Sequence, residues 1–236
     1  RVSRLGFTPC PGCVEAAVKP YFQDDYVTLY HGDCLELADV WTGADVLVTD
    51  PPYGMGYYLH SRAGKNAEME VVGDHDTSAR DNALKAWGKK PAMVFGSWRN
   101  PRPECDQVLI WDKGPEAALG HPTFFSAFEE IYVRGTGWVG DRRSNVVRVN
   151  GLSRSGAERK VLGHPTPKPT GLMELLLSHV PPGIIADPFA GSGSTLLAAR
   201  NLGRKVIGVE LEEKYCEVIA KRLQQQAFDF TGLEAL

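Results

Sequence analysis

The sequence predicts an α/β fold, a seven-stranded and mostly parallel sheet with helices on both faces. Three observations predict it. Short apolar runs alternate with segments of helical period along the chain, as strand–helix–strand units require. Two of those runs stop in distinctive turns, Asp50-Pro51-Pro52-Tyr53 and Asp187-Pro188-Phe189-Ala190-Gly191-Ser192-Gly193. A third, Lys205–Val209, is followed at once by an acid, Glu210. Ligands of open parallel sheets gather beyond the carboxyl ends of strands, so chemistry at strand ends is where function is sought.

Strands are expected at Val27–His31, Asp45–Thr49, Ala92–Phe95, Gln107–Trp111, Glu130–Arg134, Gly183–Ala186 and Lys205–Val209, short apolar runs with turn residues nearby. Helices fit Asn82–Trp87, Pro122–Phe128, Thr170–Val180, Ser194–Asn201 and Glu213–Gln226. In the last, Tyr215, Val218, Ile219 and Leu223 recur at three-and-four spacing before a charged reverse side, a packing helix. Two stretches fit no regular element. Gly54–Thr77 mixes Gly, Asn, His and charges and reads as a long mobile loop of the kind that often binds or covers a ligand. Gly135–Thr166 is rich in Gly, Arg and Ser.

The 236 residues suit one domain, 1–236, with an irregular N-terminal segment at 1–20 and a short basic insertion at 135–163. Hydrophobic content of 43% and charged content of 23% are those of a globular chain. No apolar run approaches the roughly 18 residues of a membrane span, and no signal pattern opens the chain, so a cytoplasmic setting is expected. The net charge of −3 does not itself point to nucleic acid; its distribution says more. Between Arg134 and Lys160 seven basic residues face two acids, a segment able to neutralise phosphates or simply to sit in solvent. Five cysteines without disulfide rhythm fit a reducing compartment. Cys10-x-x-Cys13 and His31-x-x-Cys34 offer two short-spaced pairs of zinc ligands, yet no second glycine-rich knuckle accompanies them. Free thiols are the preferred reading, and no metal is expected.

The run from Ile184 to Thr195 is an apolar strand, a glycine turn and a helix start. Glycines suit a backbone that turns tightly and approaches a ligand closely. Glu210, at the end of the next strand, is placed to accept hydrogen bonds from ribose hydroxyls. That pair suits any nucleotide or nucleoside cofactor; the absence of G-x-G-x-x-G and of a phosphate-cradling lysine argues against dinucleotides and P-loops. At Asp50-Pro51-Pro52-Tyr53 two prolines fix the backbone and leave carbonyls which, with the Asp50 carboxylate, form a cluster of acceptors. Such a cluster can hold an NH2 group with its lone pair aimed at an electrophile, while Tyr53 offers a face for a base to stack on. A proline-stiffened turn with a packing tyrosine is the alternative.

These two turns, with His164-Pro165-Thr166-Pro167-Lys168-Pro169 between them, resemble the DNA amino-methyltransferases, in the circularly permuted order of the beta group that modifies adenine N6 or cytosine N4. The resemblance spans roughly residues 27–223 and implies a Rossmann-like S-adenosylmethionine-dependent methyltransferase fold. It implies that Asp50 and the Pro51 carbonyl hold the target amino group, with Pro52 and Tyr53 completing the motif and Tyr53 stacking on the base. It assigns Asp187, Phe189, Gly191, Ser192, Gly193 and Thr195 to the cofactor loop, Glu210 to the ribose, and Thr166 and Lys168 to the cofactor carboxylate, and it counts Asp50 among the cofactor-binding residues as well. Asp33 and Cys34, after the first strand, match the turn that reads the cofactor adenine, and His164 is read as a turn residue. The implied partner is double-stranded DNA with a flipped target base, docked through Arg142, Arg143 and Arg148, with no membrane. A homodimer and a companion restriction endonuclease are candidate partners. Asp at the first motif position favours adenine. Cytosine N4, RNA and a protein glutamine remain alternative acceptors. A nucleic-acid binder with a decayed site and a zinc-dependent regulator complete the set.

Overall fold

In the computed structural model, residues 18–55, 58–60, 68–70, 73–114, 127–149 and 167–231 are described. The strands are β1 (Phe22–Gln23), β2 (Val27–His31), β3 (Val46–Thr49), β4 (Tyr58–His60), β5 (Glu68–Glu70), β6 (Ala92–Gly96), β7 (Gln107–Asp112), β8 (Phe128–Arg134), β9 (Val146–Arg148), β10 (Ile185–Asp187) and β11 (Val206–Glu210). The helices are α1 (Ala38–Trp41), α2 (Ser78–Trp87), α3 (Thr170–Leu177), α4 (Ser194–Asn201) and α5 (Glu213–Thr231). Nine strands form one sheet in the order β1-β2-β11-β10-β3-β6-β8-β7-β9. From β2 through β11, β10 and β3 to β6 every pairing is parallel; β8 runs antiparallel to both β6 and β7.

The seven expected strands are the contiguous centre of this sheet, β2 to β7, each within two residues of its expected bounds. Two short edge strands extend it. β1 folds back antiparallel on β2, and β9 pairs in parallel with β7 inside the stretch expected to be irregular. Neither carries a long apolar run, which is why the pattern does not announce them. A separate antiparallel ribbon, β4 with β5, lies within the stretch expected to be one unstructured loop. Of the helix expected at Pro122–Phe128, residues 122–126 lie outside the described residues, and Phe128 already belongs to β8.

Period-two alternation sorts the strand residues into two cores. Val46 and Val48 of β3, Met93 and Phe95 of β6 and Ile185 of β10 face the layer of α3, α4 and α5, against Leu172, Leu196 and Ile219. Their neighbours Leu47, Ala92, Val94 and Ala186 face α1 and α2, against Trp41 and Trp87. A strand covered on both faces reads as an unbroken apolar run, the character of Val46-Leu47-Val48. No described helix is long and apolar enough to cross a membrane.

Helix α1 is only four residues long and is held by packing rather than by its own hydrogen bonds. Trp41 is fully buried, stacks on Trp87 at a centroid distance of 6.0 Å, and donates its indole N–H to the Cys34 carbonyl at 2.7 Å. Trp41→Ala therefore removes the joint between α1 and α2 and leaves a buried carbonyl unpaired. The expected loss is about 3–5 kcal/mol, read from urea unfolding monitored by circular dichroism.

Candidate active site

Because five neighbouring strands are parallel, their carboxyl ends share one edge, and the expected turns line up along it: Asp33 after β2, Glu210 ending β11, Asp187 ending β10, Asp50 after β3. One cleft is lined by Asp50, Pro167, Lys168, Met173, Asp187, Phe189, Ala190, Gly191, Ser192, Ser194 and Thr195. Two expected constellations, 137 positions apart in sequence, thus share a wall.

The glycine turn is built by its surroundings. Gly193 has φ +80°, and a Cβ there would lie 2.7 Å from Ile219 Cγ1, so the left-handed turn and the approach of α5 both exclude a side chain. Arg222 of α5 donates to the Ser192 carbonyl, and the Ser194 hydroxyl donates to the Lys168 carbonyl at 2.7 Å. Asp187 is buried and accepts from the Thr49 hydroxyl at 2.7 Å and the Phe189 N–H at 3.2 Å. Burial pushes its carboxyl up to about 6 against the pull of the Thr195 and Thr49 hydroxyls. Glu210 accepts the Gly191 N–H on one oxygen (2.7 Å) and the Glu212 N–H on the other (2.8 Å), which fixes the carboxylate while leaving lone pairs on both atoms. Burial raises it to about 7.

Asp33 accepts the Leu35 N–H at 2.7 Å and so shapes the turn into α1. Cys34 behaves differently. Its side chain is packed in the core beside Trp41, its carbonyl is taken by the Trp41 indole, and burial pushes its thiol up to about 12. Its protonated, buried sulfur does not suit a metal. Cys10 and Cys13 lie outside the described residues, as do Thr166 and His164; no metal-binding cluster occurs among the described residues.

The Asp50 turn is braced from several sides. Pro51 is buried; Asn100 donates to the Tyr53 carbonyl, and Asp74 accepts the Gly54 N–H at 2.6 Å. Gly54 has φ +74°, and a Cβ there would meet the Asp76 backbone at 2.6 Å. The Tyr53 hydroxyl lies 2.7 Å from Asp50 Oδ1 and 2.9 Å from Glu129 Oε2. The Lys168 ammonium lies 2.5 Å from Asp50 Oδ2 and 3.3 Å from Glu129 Oε2, over the rings of Tyr53 and Phe95 at 5.4 and 5.1 Å. Lys113 pairs with Glu129 Oε1 at 2.5 Å. Burial raises Asp50, opposed by Lys168 and assisted by Glu129. In Glu129 the same burial is outweighed by Lys168 and Lys113, which hold it down at about 2. Lys168 is expected from its motif to meet a ligand carboxylate; here its charge is largely committed to Asp50 and Glu129.

Sequence reasoning passed over Glu129, Lys113, Asn100 and Arg222. A signal for the first existed: two acids, Glu129 and Glu130, directly precede the apolar run Ile131-Tyr132-Val133, and an acid entering a buried strand needs partners. Glu130 finds Arg102 (2.5 Å) and Tyr132 (2.8 Å); Glu129 finds the site. The three arginines expected to dock DNA are not gathered in the cleft. Arg142 and Arg143 are exposed beyond β8, while Arg148 lies on β9 and pairs with Asp112 at 3.1 Å.

Comparison with known proteins identifies the family and the fold. The profile of the N6/N4 methyltransferase family, described as DNA methylase, matches residues 74–222. The type II methyltransferase M2.DpnII of Streptococcus pneumoniae is 43% identical, over 88% of this chain and 93% of its own. Among solved structures, the PvuII DNA methyltransferase, specific for cytosine N4, shares the fold at TM-score 0.60 and 17% identity, over 86% of this chain and 88% of its own. The M1.HpyAVI–SAM complex does so at TM-score 0.55 and 24% identity, over 83% and 99%.

The Glu210 carboxyl gives a stability signature. Its folded value, about 7, lies above the ordinary 4.5, so between these values the folded state holds a proton that the unfolded chain releases. Stability contributed by this group is present below pH 4.5 and lost as pH rises through 7. The ligand-free protein is expected to lose thermal stability across that window, and Glu210→Gln to flatten the loss, measured as Tm against pH by scanning calorimetry.

Proposed function

This chain belongs to the N6/N4 family of DNA methylases, and from that premise we propose that it transfers the methyl group of S-adenosylmethionine to the exocyclic N6 of adenine in DNA. The observation that carries the proposal is the shared wall: Asp50, the acceptor for an amino group, lines the same cleft as Phe189, Gly191 and Ser192. Acceptor and donor sites in contact supply alignment, which can be worth several kcal/mol of barrier.

The donor set suits this cofactor. Glu210, fixed by two backbone N–H groups, keeps lone pairs for the ribose hydroxyls, and Asp33 stands after the neighbouring strand for the adenine. Asp187 offers a buried carboxylate to an ammonium, and Lys168 has a third N–H beyond those aimed at Asp50 and Glu129 for a carboxylate. When bound, the cofactor supplies an electrophilic methyl on a sulfonium. M1.HpyAVI, similarly folded, was solved with the same compound.

Asp50 and the Pro51 carbonyl would accept the two N–H bonds of the target amino group, turning the nitrogen lone pair towards the cleft and stabilising positive charge as it develops. Tyr53, anchored through its hydroxyl, presents its ring to a base extruded from the duplex. No cysteine nucleophile is needed, and buried Cys34 and Cys216, each pushed up to about 12, do not offer one. Adenine is preferred because Asp opens the motif. Cytosine N4 is the second reading, favoured by the fold shared with a cytosine-N4 enzyme. Recognition is assigned to the short basic segment at 135–163, and a companion restriction endonuclease fits the type II name of the pneumococcal relative.

Asp50→Ala is expected to lower methyl transfer to DNA by about a hundredfold or more while cofactor affinity stays within a few-fold, because the acceptor is lost and Lys168 keeps Glu129. Filter-bound tritium and calorimetry read the two effects. Mass analysis of digested product DNA is expected to show N6-methyladenine; N4-methylcytosine alone would transfer the proposal to the second reading. Reversing charge at Arg142 and Arg143 together is expected to weaken DNA binding and flatten its dependence on salt, measured by fluorescence anisotropy from 50 to 200 mM salt. Unchanged binding would remove these residues from the docking surface.

A further inference from the structure

Asp50 has both carboxylate oxygens engaged, Oδ2 by the Lys168 ammonium and Oδ1 by the Tyr53 hydroxyl. Left like that, its charge would be largely neutralised and one lone pair on each oxygen occupied, a weaker acceptor for the amino group of a base. Glu129 competes for both partners. Its Oε2 lies within 3.3 Å of the same ammonium and 2.9 Å of the same hydroxyl, and Tyr53 has one proton for two carboxylates. Lys113, at 2.5 Å from the other Glu129 oxygen, keeps this partly buried acid ionised so that the competition persists. The groups facing Glu129 are therefore Lys113 just past β7, Lys168 ahead of α3, and Asp50 and Tyr53 after β3, with Asp187 of β10 acting on Asp50 from beyond.

We propose that Glu129 is a positioning residue for Asp50: by drawing Lys168 and the Tyr53 hydroxyl towards itself, it leaves Asp50 the charge and lone pairs to accept the target amino group and then to take its surplus proton. The inference rests on the methyl transfer proposed above. In that step the amino nitrogen supplies the pair for the new N–C bond, and the breaking C–S bond leaves its pair on sulfur. The nitrogen is then cationic with two protons, and one passes to Asp50 and onward to water. Glu129 neither touches the base nor receives the proton; its negative charge keeps Asp50 basic.

The test uses the full chain and its Glu129→Gln variant, which keeps shape and removes charge. Released from Glu129, Lys168 turns to Asp50. Turnover is expected to fall about tenfold, with its acid limb moved to lower pH by about one unit, while the dissociation constant for S-adenosylmethionine stays within twofold. Carbon-13 titration of protein labelled at the aspartate carboxyls, with Asp50 assigned from Asp50→Asn, reads the same shift without turnover. Should the wild-type chain transfer no methyl, the function proposed above fails while this titration still decides the role of Glu129. Lys113→Gln is expected to move the Asp50 titration the opposite way, to higher pH, and serves if the Glu129 variant does not fold. A titration and acid limb unmoved in these variants, whatever their thermal stability, would overturn the proposal and leave Glu129 a structural residue.

Discussion

Parallel register is the constraint on which the site depends. Strands β2, β11, β10, β3 and β6 all point one way, so Asp33, Glu210, Asp187 and Asp50 meet on one edge although the chain contributes them from opposite ends. The reversal of β8 is as consequential as the parallelism of its neighbours. An antiparallel strand brings its first residues, not its last, to the edge where the parallel strands finish. Gly96, the last residue of β6, lies opposite Glu130, and Trp111 of β7 opposite Glu129. That single inversion delivers a partly buried acid to the Asp50 turn and sets Lys113, just past the end of β7, against it.

Charge buried on this scale must be balanced locally. Lys168 has a side chain only 7% exposed, and an unpaired ammonium there would be strongly destabilising. Two acids and two lysines offset one another, and Tyr53 links the acids through a single hydroxyl. The same lysine ties the cluster to the glycine turn, since its carbonyl accepts the Ser194 hydroxyl at the start of α4. Prolines on both sides of Lys168 restrict the backbone that carries it. The charge balance around Asp50 and the shape of the glycine turn are therefore coupled through one residue, and a change in either reaches the other without a long path.

What the sequence disclosed and what it withheld divide along sequence separation. The strands, the Asp50 turn and the glycine turn were legible because each is coded within about ten residues by apolar runs, prolines and glycines. Glu210 followed from its place at a strand end. Glu129 was not legible as a site residue, because its meaning lies in the direction of β8, which no local pattern states; the strand was expected to begin one residue later, at Glu130. The count of basic residues was legible but not their partners: Arg148, exposed on β9, pairs with Asp112 of β7. Asp33 and Cys34 are adjacent in the motif, yet the structure separates them: Asp33 shapes the turn and Cys34 packs beneath it. A motif names both positions alike; burial tells them apart.

The permuted order has a mechanical side. The Asp50 turn is braced by residues that follow it, Asp74 and Asn100, whereas the glycine turn is braced by Arg222 and Ile219 near the other end of the chain. No continuous backbone joins the two turns at the cleft. Apart from the β3–β10 pairing, polar links among the described residues span the gap, from Thr49 to Asp187, from Lys168 to Asp50, and from Ser194 to the Lys168 carbonyl. Each is a hydrogen bond or ion pair rather than a covalent path, so the spacing between the Asp50 turn and the glycine turn is set by side-chain chemistry. Thr49 belongs in that chain of dependence even though it needs to touch neither ligand. Its hydroxyl holds Asp187 on one wall while its own backbone leads into Asp50 on the other.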